Sequence, residues 1–521
     1  MKQKLWTAVP VAAWILQLGA ELFTVYSILK LNMLPMNWMA AVVFLGLAAL
    51  AGLTAALVFL PKKASCRVSF CQILAIVFAL AITGGCTAAS SALFKLSNTV
   101  SAITGNNRIA EVIVPVGVYT LADHPAESLS DLADDTFAVN KADSDAYLPQ
   151  ALSYIESETG KSIQISPYEG ITDMVDALYE QDVQAIIIND AFADVLTELE
   201  GYTDFSTRTK EIARISVIWD NAASLIQDAS DSTTTVIPSE KADDSDQIEV
   251  PEVTPDVTNT PFLVYLSGSD TRDQMLTTSR SDVNILAVVN PNTKQILLIN
   301  TPRDYYVGNP AGGGAKDKLT HCGIYGIDCS MEALAGLYQE EIDYYAQINF
   351  TGFETLIDAI GGVTVYSDIA FKAVKTEIHV GNNDLDGHGA LDFARERKSL
   401  SGGDNDRGKH QMEVLRAVLQ KMSAGTILKY YSGIMDSLAG MFITNISSAE
   451  VSDLVKMQLS DIASWDVFTY AVTGTGGRNV TYSMPGQSLY VMYPNEESVA
   501  HATELIDRIM VGELLSEADM E

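Results

Sequence analysis

Basic side chains are scarce in this chain of 521 residues: 33 Lys+Arg stand against 66 Asp+Glu, a formal net charge of -33. A protein that neutralises nucleic-acid phosphates needs a basic face, so this imbalance argues against nucleic acid as a partner. Cysteine is sparse as well, with five residues. Cys66, Cys71 and Cys86 fall in or beside an apolar region. Cys322 and Cys329, in His321-Cys-Gly-Ile-Tyr-Gly-Ile-Asp-Cys329, would need more ligands than themselves and His321 to hold a metal. A local disulfide closing that loop is the expectation, with two free thiols as the alternative. A short apolar region ending in a small-residue cleavage motif is also missing, which argues against a removed leader. Thr83-Gly84-Gly85-Cys86 faintly resembles a lipoprotein processing site but lies deep in the chain, after two earlier apolar stretches.

What is abundant is apolar sequence at the amino end. Leu5–Leu29, Trp38–Leu60 and Phe70–Phe94 are each near or above the ~20 residues a helix needs to cross the hydrocarbon core. The second and third carry no charge, whereas the first contains Glu21 and Gln17, which need a buried partner. Ala48, Gly52 and Ala56 place small residues one turn apart, a pattern that lets helices pack closely in lipid, with an ordinary low-complexity apolar helix as the alternative. Lys2 and Lys4 precede the first span, and Lys62, Lys63 and Arg67 sit between the second and third. Both regions share a side if all three segments cross, and the positive-inside rule makes that side cytoplasmic. Everything after Phe94 is then expected outside the cell, as an acidic domain tethered at its amino end to the membrane.

The length allows two or three domains. Alternating strand-like and helical patterns between Ile109 and Trp219 predict a small α/β accessory domain over 105–222. Residues 223–259, acidic and containing Pro238, Pro251 and Pro255, read as a linker too polar to bury a core. From 260 to 521 strands and helices alternate again. Strands are expected at Phe262–Leu266, Asp282–Val289 and Gln295–Ile299, and helices at Met331–Leu337, Phe353–Ile360 and Lys409–Met422. This region predicts an α/β/α sandwich with a C-terminal helical extension, behind an anchor of three transmembrane helices over 1–96.

Six of the 13 arginines fall between 270 and 411: Arg272, Arg280, Arg303, Arg395, Arg397 and Arg407. Arg280-Ser-Asp282 opens the second strand, and Pro302-Arg303-Asp304 follows the third at its carboxyl end, where open α/β sheets place ligands. Arg395 and Arg397 are two apart and share a face only if the backbone there is extended. Arg407 precedes the long helix that carries Gln411. Several guanidinium groups at loop ends suit a ligand with many oxygens and dispersed negative charge, such as a pyrophosphate. Taken singly, each arginine also reads as a surface partner for the abundant carboxylates.

Further motifs occur in order. They are Phe262-Leu-Val-Tyr-Leu-Ser-Gly-Ser-Asp270, Ser279-Arg-Ser-Asp282-Val, Thr301-Pro-Arg303-Asp304-Tyr, Lys318-Leu-Thr-His321 and Phe350-Thr-Gly-Phe353. After them come Ile360-Gly-Gly-Val363, Leu385-Asp-Gly387, Ala390-Leu-Asp-Phe-Ala-Arg395-Glu-Arg397 and Gly403-Asp-Asn-Asp406-Arg407 with Gln411. Over about residues 260–425 this series resembles the LytR-CpsA-Psr family of membrane-anchored cell-wall glycopolymer ligases. The three-span anchor and intervening domain look like its capsule-associated branch. One departure is His410-Gln411, where such proteins commonly read Arg-Gln; it is expected to weaken one anion contact.

The resemblance implies transfer of a glycan 1-phosphate (capsule, teichoic acid or a related polymer) from a polyprenyl-pyrophosphate carrier to a peptidoglycan hydroxyl. Asp270 and Asp282 would hold Mg2+ (or Mn2+). Arg280, Arg303, Arg395, Arg397 and Arg407, with Gln411, would hold the phosphates, Arg303 acting in catalysis and Asp282 serving as base if not fully committed to the metal. Apolar helix faces near Leu334–Leu337 or Leu415–Met422 either line a pocket for the lipid tail or are plain core. A polyprenyl-phosphate-binding envelope regulator and a pyrophosphate hydrolase are the alternatives.

Overall fold

The computed structural model describes residues 2–59, 70–104, 112–144, 147–219, 256–272, 276–397, 399–400, 403–422, 430 and 440–521. The linker up to residue 255, the basic loop with Lys62, Lys63 and Arg67, and most of a helix expected over Thr426–Met441 lie outside these residues.

Three helices open the chain: α1 (Lys2–Leu31), α2 (Met36–Phe59) and α3 (Phe70–Thr104). Each contains a stretch long and apolar enough to cross a membrane, Val11–Lys30, Met36–Ala55 and Ile73–Ser91. They pack on one another as a bundle. The Gln17 amide donates to Glu21 Oε1 at 2.8 Å, giving the one acid of the bundle its partner, and Glu21 lies over Gly46 of α2. Thr24 and Ser90 link α1 to α3 at 3.0 Å.

The accessory domain is built from β1 (Val112–Leu121), β2 (Thr136–Asn140), α4 (Leu148–Thr159), β3 (Gln164–Tyr168), α5 (Ile171–Tyr179), β4 (Ala185–Asn189), α6 (Ala191–Thr197), α7 (Phe205–Arg208) and β5 (Thr209–Trp219). Its sheet runs β3-β2-β4-β1-β5, parallel across the first three strands and antiparallel around β1. β4 is buried at all five positions, as a central strand covered on both faces should be.

The second α/β domain begins with β6 (Phe262–Ser269), β7 (Ser281–Asn290) and β8 (Gln295–Asn300). A hairpin, β9 (Tyr306–Asn309) with β10 (Ala315–Lys318), leads to the short α8 (Leu319–Cys322) and to α9 (Ile327–Tyr338). Next come β11 (Tyr344–Asn349), α10 (Phe350–Ala359), and four short strands β12 (Val363–Ser367), β13 (Phe371–Ala373), β14 (Thr376–Ile378) and β15 (Gly381–Leu385). They are followed by α11 (Gly387–Arg395), α12 (Asp404–Lys421), β16 (Phe442–Thr444), α13 (Ser448–Asp461), β17 (Asp466–Ala471), a hairpin of β18 (Gly474–Val480) and β19 (Ser488–Pro494), and α14 (Glu496–Met510).

The central sheet has the order β16-β11-β6-β7-β8-β17, with β11 parallel to β6, β17 parallel to β8, and β7 antiparallel to both neighbours. Its strands alternate faces with a period of two. Leu263, Tyr265, Leu286, Val288, Leu297 and Ile299 pack under α9 and α14. Phe262, Val264, Ile285, Ala287, Ile296 and Leu298 pack under α12 and α13. The fold is therefore the expected α/β/α sandwich.

Contacts between the two domains tie the molecule together. Ile324, Met484 and Leu489 of the second α/β domain are buried in the same apolar cluster as Met174, Val175 and Phe192 of the accessory domain. The backbone N–H of Thr278 also donates to the Ile113 carbonyl at 2.8 Å. Beyond its apolar stretch, α3 continues to Thr104 and touches β16 and α13.

The expected disulfide is absent. Cys322 and Cys329 are buried free thiols. The segment between them is not an open loop, since Cys322 ends α8 and Cys329 lies in the first turn of α9. The Cys322 thiol donates to the Lys318 carbonyl at 3.9 Å and the Cys329 thiol to Asn309 Oδ1 at 3.3 Å.

Candidate functional site

The antiparallel pairing of β6, β7 and β8 brings three chain segments to one edge of the sheet: the end of β6 with Asp270, the start of β7 with Arg280 and Asp282, and the exit of β8 with Arg303. Asn349 and Phe350 arrive at the same edge from β11. Helix α12 is brought down onto this edge by Gly408, where a Cβ would come within 2.2 Å of Asn300 Nδ2 at the end of β8. That close approach delivers Arg407 and Gln411 on either side of it.

A cavity of about 590 Å3 opens here. Asp282, Arg280, Arg303, Arg395, Arg397, Arg407 and Gln411 all line it. Arg395 closes α11, and Glu396 after it is extended (φ -63, ψ 131), so Arg395 and Arg397 reach the same cavity as their spacing requires. The other end is apolar, walled by Ile285, Ile348, Phe353, Leu415, Val418 and Phe442. Of the two helix faces considered for a lipid tail, the one near Leu415 belongs to this lining, while Leu334 is sandwich core.

Charge in the polar end is fixed by ion pairs. Arg303 Nη1 donates to Asp282 Oδ1 at 2.8 Å, with the Thr320 hydroxyl donating to the same oxygen at 3.4 Å. Burial would raise the Asp282 carboxyl, but the charges of Arg303, Arg407 and Arg280 outweigh it and hold Asp282 far below the usual carboxylate range. Asp270 moves the other way. Burial, then the nearby Asp282 charge, push it up, and Arg280, paired with it at 2.8 Å, only partly offsets them. Asp282 is thus the firmly ionised member and a weak base, and Asp270 the one that holds a proton more tightly. Lys318 Nζ lies 3.0 Å from Asp304 Oδ1, and Arg303 Nε, 3.9 Å from Asp304, is buried without a hydrogen bond. An N–H left in that condition is costly unless a ligand oxygen meets it.

His410 takes no part. It stacks on Phe393 at 4.2 Å and Phe371 at 5.2 Å, on the side of α12 away from the cavity, and burial lowers its pKa. Contrary to expectation, position 410 therefore holds no anion contact to weaken. Asp270 is in the lining of a neighbouring cleft rather than of the main cavity, and is joined to the main cavity through its pair with Arg280. One participant was not foreseen: Glu198, just after α6 of the accessory domain, lines the main cavity and accepts from Arg280 Nη1 at 2.7 Å. Nothing in a lone acid of an otherwise motif-free segment signals that position. His321 and Lys318 of the fourth motif support the site from behind, His321 Nδ1 lying 2.7 Å from buried Asp317.

Against known proteins, the LytR_cpsA_psr family model matches residues 222–499, more than half of the chain. The chain belongs to the LytR-CpsA-Psr family. Among family relatives, the polyisoprenyl-teichoic acid–peptidoglycan teichoic acid transferase TagU of Enterococcus faecalis is 33% identical over 36% of this chain and 62% of its own length. TagT of Bacillus subtilis, of the same description, is 33% identical over 36% of this chain and 60% of its own. The match thus spans less than two thirds of these relatives. A solved structure described as TagT bound to LI-WTA is 26% identical and covers 49% of this chain and 93% of its own, with a TM-score of 0.40.

Asp270 and Asp282 fit the divalent cation that the family resemblance implies. Two buried carboxylates close enough for one to raise the other gain from a shared positive charge. No cluster of three or more His, Cys, Asp or Glu side chains placed to hold a metal exists among the described residues. The remaining ligands would be substrate oxygens and water, as suits a hard cation.

Proposed function

We propose that this protein is a membrane-anchored phosphotransferase that moves a glycan 1-phosphate from a polyprenyl pyrophosphate to a hydroxyl of peptidoglycan, on the outer face of the membrane. The observation that carries the reading is one cavity with five guanidinium groups and Gln411 at one end and an apolar lining at the other. That is the shape of a lipid pyrophosphate, head and tail. The description of the relatives as teichoic acid transferases supports the same class.

The guanidiniums neutralise the pyrophosphate and the charge that gathers on it as the bond to the leaving group lengthens. The acceptor oxygen attacks the phosphorus bearing the glycan, and the P–O bond to the bridging oxygen breaks. Polyprenyl phosphate departs with the electron pair, and the hydroxyl proton passes to a carboxylate of the site. Mg2+ (or Mn2+), held by Asp270 and Asp282, would supply further neutralisation of the phosphate oxygens. The helical anchor keeps donor and enzyme in one surface, raising the effective concentration of a substrate that cannot leave the bilayer.

The test uses the purified full chain with a polyprenyl-pyrophosphate glycan, Mg2+ and peptidoglycan fragments. A covalent glycan–peptidoglycan product is expected, lost on chelation. Arg395→Ala removes a half-exposed guanidinium and no buried pair, and transfer should fall about 100-fold in a protein that still folds. Free phosphorylated sugar would instead indicate a hydrolase, and binding without turnover a regulator; near-full activity of Arg395→Ala would refute the site.

A further inference from the structure

Glu198 belongs to one domain and does its bonding in the other. Its backbone closes α6, whose Phe192, Val195 and Leu196 are buried in the apolar cluster shared by the two domains. Its side chain crosses the domain boundary into the polar end of the main cavity. There Oε1 accepts from Arg280 Nη1 at 2.7 Å and lies 4.0 Å from Arg303 Nη2. We propose that Glu198 is a place-holder for phosphate: a carboxylate of the accessory domain that competes with the donor pyrophosphate for two guanidiniums, lowers the affinity of the site, and swings aside when the pyrophosphate takes over their hydrogen bonds. The inference rests on the reading of the cavity as a site for a lipid pyrophosphate.

Reach is the first observation behind it. Among the described residues, Arg280 lies within 4.0 Å of Asp194, Glu198 and Asp270, and Arg303 within 4.0 Å of Glu198, Asp282 and Asp304. Glu198 is common to both. Freedom is the second. Asp270, Asp282 and Asp304 are largely buried beside the strand ends that carry them, whereas the Glu198 side chain is 44% exposed. An ion pair open to water contributes little, so a carboxylate with solvent behind it leaves its partner cheaply. The domains stay joined meanwhile by their apolar cluster.

Charge is the third. Burial would raise the Glu198 carboxyl, but the charges of Arg280 and Arg303 outweigh it and hold Glu198 below the usual carboxylate range. It is therefore a full anion, and a carboxylate and a phosphate seek the same guanidinium N–H groups. Two anions cannot share those donors in a partly buried site without strong repulsion. Residue 198 also precedes the stretch that the family model matches, 222–499. The guanidiniums belong to the matched domain and their competitor to the accessory domain, so the packing of one on the other sets the donor affinity.

Three variants of the full chain decide it. Glu198→Gln keeps the size of the side chain and removes its charge, and Glu198→Ala removes the side chain beyond Cβ. Asp194→Asn removes a different charge, 4.0 Å from Arg280 and one turn earlier on α6. Parent and variants are titrated with a sugar-free prenyl pyrophosphate, and their melting is recorded without it. Both Glu198 variants should fold and bind about tenfold more tightly than the parent, because the fraction of sites open to the pyrophosphate rises. Asp194→Asn, which alters the field and not the competition, should stay within about twofold. Unchanged or weaker binding by both Glu198 variants overturns the place-holder, as does their failure to fold, which would make the pair a structural tie. An equal gain from Asp194→Asn overturns it too, by reducing the effect to overall charge. Failure of the parent and every variant to bind the lipid overturns the donor reading itself, whereas a parent that binds with no gain in the Glu198 variants overturns this inference alone.

Discussion

Guanidinium groups set between carboxylates behave differently from free ones. Burial works against the charge of Arg303, but Asp282 and Asp304 outweigh it, and its pKa rises. Arg303→Ala would break the ion pair with Asp282 and leave that carboxylate to the charges of Arg407 and Arg280, at up to roughly 3–5 kcal/mol in stability, so loss of activity there mixes catalysis with unfolding. His410 is the opposite case. Its folded-state pKa lies below the unfolded 6.5, so the unfolded chain takes up the proton first, and stability present above about pH 6.5 is lost as pH falls through the depressed value. His410→Phe should therefore lose less stability than the parent between about pH 7.5 and about pH 5 in denaturant titrations; equal losses would contradict the stacked, neutral ring. The arginines were legible in the sequence because each sits in a recognisable motif. At His410 the helical period outweighs the motif's spacing: Arg407, Gln411, Val414 and Val418 share the cavity face, and 410 does not.

At the scale of elements, the first turn of α12 is the most exacting piece of packing near the site. Gly408→Ala would gain about 1 kcal/mol in helix propensity, yet its methyl meets buried Asn300 at a distance that real contacts never show. Overpacking of this kind costs about 1–3 kcal/mol and wins. The variant should melt lower and bind lipid pyrophosphate more weakly, because Arg407 and Gln411 move with the helix; unchanged affinity and melting would show that the helix end is loosely held. Most strands were readable from β-branched runs such as Gln295–Asn300. The β18–β19 hairpin was not, since Gly474–Val480 contains three glycines and little β propensity. Its partner strand and the accessory domain hold it in place, and neither speaks through local sequence.

Across the whole molecule, the shared apolar cluster makes the accessory domain and the second α/β domain one packed body. Met484→Asp would bury an unpaired charge between them, should cost about 3 kcal/mol or more of stability, and should lower the thermal transition accordingly. Calorimetry should show one transition moving as a unit. Two transitions, with only one displaced, would mean the domains are stable separately. The sequence divides the chain by composition, which is why the linker and the two α/β regions are visible in it. It cannot show that Ile324 and Leu489, far apart in the chain, complete the core of another domain.

The stalk formed by the end of α3 has a consequence for the lipid. From residue 92 to 104 it rises roughly 20 Å at 1.5 Å per residue, and it meets β16, whose Phe442 lines the apolar end of the donor cavity. With the three helices in a bilayer, a headgroup handled at that height draws part of its own chain out of the hydrocarbon. Each methylene so exposed would cost about 0.8 kcal/mol in water. On the proposed transferase reading, Ile285, Phe353, Leu415 and their neighbours would offer that stretch a dry passage, the substrate being drawn out partway while its remainder stays dissolved in the membrane, ready to pull the spent carrier back.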